Sequence, residues 1–308
     1  MTATVFIDGA AGTTGLEIGD RLAGRTDLSL IAIDEARRKE PAARREALNG
    51  ADFVILCLPD EAAREAVALI ANDRTRVIDA SSAHRTADGW TYGFPELKPD
   101  QAERIAHARF VANPGCYPTG FLALVRPLTG AGLLSADARL SVNATSGYSG
   151  GGKAMIAEFE GGAPSAFRPY ALSLRHKHLP EMTVHAGLVY DPIFLPAVVD
   201  TYRGMIVQVP LHDAQLVPDV DALDISAALT EAYAGSSLVR VSHDQVATVG
   251  IEDDAGTDRM TLHIFREPMT GRNLLVATLD NLGKGAAGAA VQNLNIMAGF
   301  DPVAGLFL

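Results

Sequence analysis

The chain has 308 residues, enough for two domains, and its 48% hydrophobic and 20% charged residues are ordinary for a globular protein with a large core. Acidic side chains outnumber basic ones, 37 against 26, and the formal net charge of -11 argues against non-specific binding to nucleic acid or to an anionic membrane. A small-molecule partner is expected instead.

The stretch from Met1 to Ala10 lacks a basic n-region, and Asp8 interrupts its apolar run, so no signal peptide is expected. No apolar run reaches the ~20 residues of a membrane helix. Two cysteines, Cys57 and Cys116, make no disulfide framework, which predicts a reducing, cytoplasmic setting.

Ala3 to Asp8 reads as a strand running into Gly9-Ala-Ala-Gly-Thr-Thr-Gly15, followed by a helical pattern from Leu16 to Leu22. Strand, glycine turn and helix suit a dinucleotide: the glycines let the backbone approach a pyrophosphate, and the helix N-terminus carries its charge. Gly9, Gly12, Thr13, Thr14 and Gly15 are the cofactor candidates of this turn, although its G-x-x-G-x-x-G spacing departs from the common fingerprint.

Further strands are expected at Leu28 to Asp34, Asp52 to Leu58 and Arg76 to Ala80, with helices at Ala43 to Leu48 and Glu61 to Ala71. This alternation predicts a parallel sheet with helices on both faces, whose ligands sit at the carboxyl ends of the strands. Pro59, Ser81 and Ser82 fall at such ends. Cys57 lies in the Phe53 to Leu58 run and is assigned to the core. After the second strand the signals divide: Asp34 suits the ribose of NAD, whereas Arg37, Arg38 and Lys39 suit the 2′-phosphate of NADP, and NADP is favoured.

From Trp90 to Ala108 the pattern loosens, and Arg109 to Ala112 gives a last short strand leading into Asn113-Pro-Gly-Cys-Tyr-Pro-Thr119. Pro114 and Pro118 stiffen both flanks of Cys116, Gly115 permits a close backbone approach, and a helix from Thr119 to Leu128 begins beside the sulfur, where its N-terminus stabilises a thiolate. Cys116 is the candidate nucleophile. A strand from Ala138 to Ala144 opens into Ser146-Gly-Tyr-Ser-Gly-Gly-Gly-Lys153, which nearly matches a phosphate loop. Ala154 stands where the magnesium-binding hydroxyl belongs, leaving Ser149 and Lys153 as candidates for a substrate phosphate or carboxylate.

Arg175-His-Lys-His-Leu-Pro-Glu181 gathers two imidazoles, two cations and a carboxylate. As an extended segment it would put His176 and His178 on one face, but nothing nearby completes a zinc site, so acid/base work is expected and no metal. Strands at Met205 to Leu211, Leu238 to Val241, Met260 to Phe265 and Asn273 to Leu279 surround one helix, Ala222 to Tyr233, and predict a mixed, largely antiparallel α+β domain. Asp280-Asn-Leu-Gly-Lys-Gly285 then begins a Gly/Ala-rich helix reaching about Met297.

The chain resembles the shorter form of the N-acetyl-γ-glutamyl-phosphate reductases of arginine biosynthesis, relatives of aspartate-semialdehyde dehydrogenase. The resemblance rests on Asn113-Pro-Gly-Cys-Tyr-Pro118, His176-x-His178-x-x-Glu181, Ser81-Ser-Ala-His-Arg85 and Asp280-Asn-Leu-x-Lys-Gly285, in that order. It implies an α/β Rossmann-type nucleotide domain (1–113, completed by 284–308) and a mixed α+β domain (114–283) for catalysis and for assembly into a dimer or tetramer. It further implies NADP as cofactor and an acyl-phosphate substrate. Cys116 is then the nucleophile and His176 the acid/base, supported by His178 and Glu181. Arg85, Asn113 and Lys153 line the substrate, and Asn281, Lys284 and Gly285 belong with the cofactor. Ala11 replaces a serine often found in the turn, and residues 186–204 have no assigned role.

Chemistry supports the assignment, because a hydride cannot reduce a carboxylate directly, whereas a cysteine thioester formed from an acyl phosphate accepts one. The alternatives are a reductase of another acyl phosphate, aspartyl or N-acetyl-aminoadipyl, a thiol hydrolase or acyltransferase that needs no nucleotide, and a non-catalytic nucleotide sensor.

Overall fold

In the computed structural model, the described residues are all but Met1, Glu35, Arg38, Lys39, Ala163, Pro164, Asp221 and Pro268, together with the side chain of Ala222. The first half supplies β1 (Ala3–Asp8), α1 (Thr13–Leu22), β2 (Leu28–Ile31), α2 (Pro41–Gly50), β3 (Phe53–Leu56), α3 (Asp60–Leu69), β4 (Arg76–Asp79), β5 (Thr91–Tyr92), α4 (Gln101–His107) and β6 (Phe110–Ala112). All five strand pairings are parallel, in the order β2-β1-β3-β4-β6-β5. Pro41 opens α2 where a missing N–H costs nothing, and Asp60 and Glu61 open α3 with the charge its positive end favours.

The second half contains α5 (Cys116–Gly130), β7 (Ser141–Gly147), α6 (Gly152–Glu160), β8 (Phe167–Pro169), α7 (Leu179–Ala186), β9 (Ile193–Val199), β10 (Met205–His212), α8 (Ala222–Ala232), β11 (Val239–Ser242), β12 (Met260–Glu267) and β13 (Arg272–Leu279). Its seven strands run β11-β12-β13-β10-β7-β9-β8. The β11/β12 and β7/β9 pairs are parallel and the other four antiparallel, so the sheet is mixed and largely antiparallel, as expected. Helix α5 lies against β10, β12 and β13, with α7 and α8 beside it. That burial explains the unbroken apolar run Phe121 to Val125, all fully buried. Gly120 brings α5 close: a Cβ there would come within 2.7 Å of Val207 on β10.

The chain then returns through α9 (Gly288–Ala298). Residues 1–95, 102–114 and 286–306 form one compact unit, and residues 96–101, 115–285 and 307–308 form the other. In the first unit, Val5 and Ile7 of β1 face α1 and α9 in a core with Ile18, Val291 and Leu294, while Phe6 between them faces Leu48, Ala63 and Ala66 on the other side. Alternate residues of one strand thus enter two apolar layers, the pattern of a parallel sheet covered on both faces.

Several boundaries differ from the sequence reading. Strand β2 stops at Ile31, so Asp34 lies beyond it and is exposed. The loosened stretch holds β5 and α4, both too short to show a period. The glycine-rich 146–153 stretch is no phosphate loop: β7 runs to Gly147, a 3-10 turn covers 148–151, and Gly152, at φ 69°, starts α6. His176 to His178 is no strand but the bend before α7. Residues 186–204 hold β9, parallel to β7.

Candidate active site

Cys116 is itself the first residue of α5, three residues earlier than the sequence reading placed the helix. The helix starts there because Pro118 has no N–H to offer, which the first turn does not need, while the Thr119 N–H and hydroxyl both donate to the Gly115 carbonyl, at 3.0 and 2.9 Å. The sulfur, half-buried, therefore rides on the positive end of a buried 15-residue helix. Glu181, buried on α7, accepts the N–H of Gly115 at 3.1 Å, so the His176-x-His178-x-x-Glu181 motif is anchored directly to the backbone of the cysteine motif.

Around the sulfur's helix stand rings. His176 lies with its centroid 4.6 Å from His178, 5.8 Å from Tyr170 and 6.4 Å from Tyr117. The His178 ring, buried at the head of α7, has Nε2 4.0 Å from Glu181 Oε1. Tyr117 donates its hydroxyl to the Ala197 carbonyl at 2.9 Å. Burial, with Tyr170 and Cys116 close by, pushes the Tyr117 phenol well above its ordinary range. Burial likewise pushes Tyr170 up to about 12, the Cys116 charge adding to it, so at neutral pH both phenols are donors. Between Tyr170 and His176 the chain twists through two non-glycine residues in left-handed conformation, Ala171 at φ 53° and Leu174 at φ 58°. Such strain gathers where side chains must be aimed.

The Asp280 to Gly285 segment closes one side of the cysteine. Buried Asp280 accepts the N–H groups of Leu282 and Gly283, at 2.7 and 3.1 Å, and bends the chain into a π-helical turn over Gly283–Ala287. A Cβ on Gly285 would come 2.9 Å from Cys116 Cβ, so only glycine fits against this cysteine. Lys284, 1% exposed, gives its ammonium to both oxygens of Glu96, at 2.9 and 2.8 Å. Asn281 accepts the Gly204 N–H and donates to Ser149, both residues buried. Asn281, Lys284 and Ser149, expected at cofactor or substrate, thus have strong partners inside the second unit.

In the first unit, Gly9 adopts φ 92°, and a Cβ on it would meet the Cys57 carbonyl at 2.3 Å; one on Gly15 would meet the Gly9 carbonyl at 2.5 Å. Both glycines are therefore demanded by the turn. Thr13, at the first position of α1, has a buried hydroxyl with no hydrogen-bond partner among the described residues, and no acidic residue sits in that first turn. An unsatisfied hydroxyl beside free helical N–H groups fits an anion such as a pyrophosphate. At the neighbouring strand ends Ser81 binds Asp79 and Ser82 binds Asp60, the latter just after Pro59, the N-cap of α3.

Arg37 is exposed and pairs with Glu40 and Glu46, each at 3.3 Å, while Arg38 and Lys39 lie outside the described residues. Arg85 and Asn113 are buried in this unit: Arg85 donates to the carbonyls of Asn113 and Ala80, and the Asn113 side chain holds Ala286 and Asn293. Lys153 is exposed near the start of α6. Among the described residues no cluster of three or more His, Cys, Asp or Glu is arranged to hold a metal, and no helix is long and apolar enough to cross a membrane.

Two family models match the chain: residues 19–105 match "Semialdehyde dehydrogenase, NAD binding domain" and residues 116–281 match "Semialdehyde dehydrogenase, dimerisation domain". The N-acetyl-gamma-glutamyl-phosphate reductase of Chelativorans sp. (strain BNC1) is 50% identical over 96% of this chain and 98% of its own, and that of Burkholderia lata is 51% identical over 98% of each. The chain belongs to the N-acetyl-gamma-glutamyl-phosphate reductase family. It is an oxidoreductase with a nucleotide-binding domain of the semialdehyde dehydrogenase type. Two solved aspartate semialdehyde dehydrogenases share its fold: enzyme II of Vibrio cholerae, with a TM-score of 0.74 at 17% identity over 97% of this chain and 99% of that one, and the Candida albicans enzyme with NADP, 0.69 at 14% over the same shares.

Tyr170 escaped the sequence reading of this reductase, as did Glu96. Tyr170 stands six residues ahead of His176 after Phe-Arg-Pro, a sequence without chemical signature, and Glu96 is 188 residues from its partner. Cys57 packs, partly buried, against the core of the first unit, as its apolar run implies, but follows β3 rather than lying inside it; burial, reinforced by the Asp79 and Asp8 carboxylates, pushes its thiol up to about 12. Iodoacetamide near neutral pH is therefore expected to label Cys116 first and leave Cys57 nearly untouched, since the thiolate is the reactive form. Peptide mapping after partial labelling reads this, and equal labelling of the two cysteines would refute it.

Proposed function

We propose that this chain reduces N-acetyl-glutamyl 5-phosphate to N-acetyl-glutamate 5-semialdehyde and phosphate with NADPH, in arginine biosynthesis. The observation that carries the reading is Cys116 at the head of α5, with Glu181 on the adjoining backbone N–H and with its chain neighbour Tyr117 in ring contact with both His176 and His178. The Cys116 sulfur attacks the acyl carbon, the phosphate leaves, and the acyl group stays as a thioester. Bound NADPH supplies the hydride. The resulting thiohemiacetal oxygen faces donors from the His176, His178 and Tyr170 group, and collapse returns the electron pair of the C–S bond to sulfur and releases the aldehyde.

The amino end of α1, with Thr13, Thr14 and the three glycines, holds the pyrophosphate, and the NADP named with the Candida structure supports the same cofactor here. Arg37 and Arg38 carry the 2′-phosphate. Replacing both by alanine is expected to raise the KM for NADPH about tenfold more than that for NADH, the scale of one or two lost charge-assisted contacts. Equal changes for the two cofactors would return the choice to Asp34 and the ribose. The second unit, which matches the dimerisation model, assembles the chain into a dimer or tetramer in the cytoplasm.

The test is the reverse reaction: oxidation of N-acetyl-glutamate 5-semialdehyde by NADP⁺ that requires inorganic phosphate. Equal or better rates with aspartate semialdehyde, or with N-acetyl-aminoadipate semialdehyde, would move the substrate within the acyl phosphates. NADPH formation without phosphate would replace phosphorolysis by hydrolysis of the thioester.

A further inference from the structure

The two imidazoles are not equivalent. The backbone N–H of His178 donates to Nδ1 of His176 at 3.1 Å, so that nitrogen presents its lone pair and the ring's proton sits on Nε2. Protonating Nδ1 would turn a hydrogen bond into two hydrogens head to head. The ring is half-buried among Tyr117, Tyr170, Phe194 and His178, with Arg175 and Lys177 flanking it in sequence and the Glu181 carboxylate beyond His178. His178 differs. Its Nε2 lies 4.0 Å from Glu181 Oε1, a carboxylate that stabilises the ring when it takes up a proton.

We propose that His176 is held as the neutral Nε2–H tautomer and serves the reaction as a fixed hydrogen-bond donor to the carbonyl oxygen of the acyl group, leaving proton uptake to His178 with Glu181. The inference deepens the proposed function and rests on it for the identity of the acyl group. It also reverses the acid/base role that the sequence resemblance implied for His176.

The electron count agrees with a donor that never transfers its proton. Hydride brings an electron pair to the carbonyl carbon, and the C=O π pair moves to oxygen. On collapse that pair re-forms C=O while the C–S pair leaves with sulfur. The oxygen gains and loses a full charge without requiring a proton, so a neutral donor suffices there. One proton must be handled, that of the Cys116 thiol before attack, and it goes to the imidazole that a carboxylate supports, His178.

Two readouts test this on the full chain. In protein labelled with ¹⁵N-histidine, the His176 signals, assigned by their loss in His176→Gln, are expected to show a protonated Nε2 and an unprotonated Nδ1, unchanged between about pH 6 and 8. A protonated Nδ1, or conversion to imidazolium in that range, would overturn the proposal whatever the substrate proves to be. In kinetics, the side-chain amide of His176→Gln places an N–H near the former Nε2, so this variant is expected to retain about tenfold more kcat than His176→Ala. His178→Gln should be no better than His178→Ala and should lose the histidine limb of the kcat/KM pH profile. The opposite pattern, rescue at 178 and loss of the limb at 176, contradicts it. Absence of all turnover in the wild type would sink the proposed function and leave the ¹⁵N spectrum to judge His176.

Discussion

Cys116→Ser is expected to lower kcat by on the order of 10³–10⁶-fold while NADPH binding stays within a factor of about two, a loss typical of removing an enzyme's nucleophile. The reason is chemical and positional. Serine keeps the place at the head of α5, but near neutral pH its hydroxyl is not ionised, and the positive end of the helix cannot make up for the missing thiolate. The glycine turn around Gly9, Gly12 and Gly15, proposed for the cofactor, belongs to the other compact unit, so its local geometry does not involve the sulfur. The measurement is steady-state kcat together with NADPH affinity from fluorescence titration. A rate within tenfold of wild type would remove covalent catalysis from the account.

Lys284→Met carries the largest expected effect on stability. The ammonium is buried and shared between both Glu96 oxygens, so removing it takes the cation away from a carboxylate whose side chain is only 11% exposed. Breaking one partner of such a pair costs about 3–5 kcal/mol. For a unit of this size that lowers Tm by roughly 10 °C. Adding Glu96→Gln to Lys284→Met should recover most of the loss, because the buried negative charge is then gone. Because Lys284 adjoins Gly285, which rests on Cys116, the single variant should also lose kcat as the turn loosens. A Tm equal to wild type with a raised KM for NADPH would instead make Lys284 a cofactor ligand, the role its motif implied.

Local pattern made much of this chain legible. Strand β1 reads as Ala3 to Asp8 from its apolar run alone, the parallel alternation of the first half is visible in its spacing, and Cys116 stands out between two prolines. What failed to show depends on distance or on conformation. Glu181 meets Gly115 across 66 residues and Glu96 meets Lys284 across 188, contacts that no local periodicity encodes. The glycines of Ser146 to Lys153 imitate a phosphate loop that Ala154 already breaks, and what local pattern could not show is that the left-handed Gly152 serves to start α6. The bend at His176 to His178 was masked as well: alternation of two histidines with two cations looks extended, and only the hydrogen bond from His178 N–H to His176 Nδ1 reveals the turn.

The central claim is an acyl group carried on Cys116. Freshly generated N-acetyl-glutamyl 5-phosphate, mixed with the wild-type chain in the absence of NADPH, quenched in acid and digested, puts it to the most direct test by mass spectrometry. The account predicts one N-acetyl-glutamyl adduct on the peptide containing Cys116, removed by hydroxylamine, with phosphate released in equal amount and the adduct lost when NADPH is added before the quench. Phosphate release and turnover with no adduct, or an adduct on Cys57 alone, would contradict it.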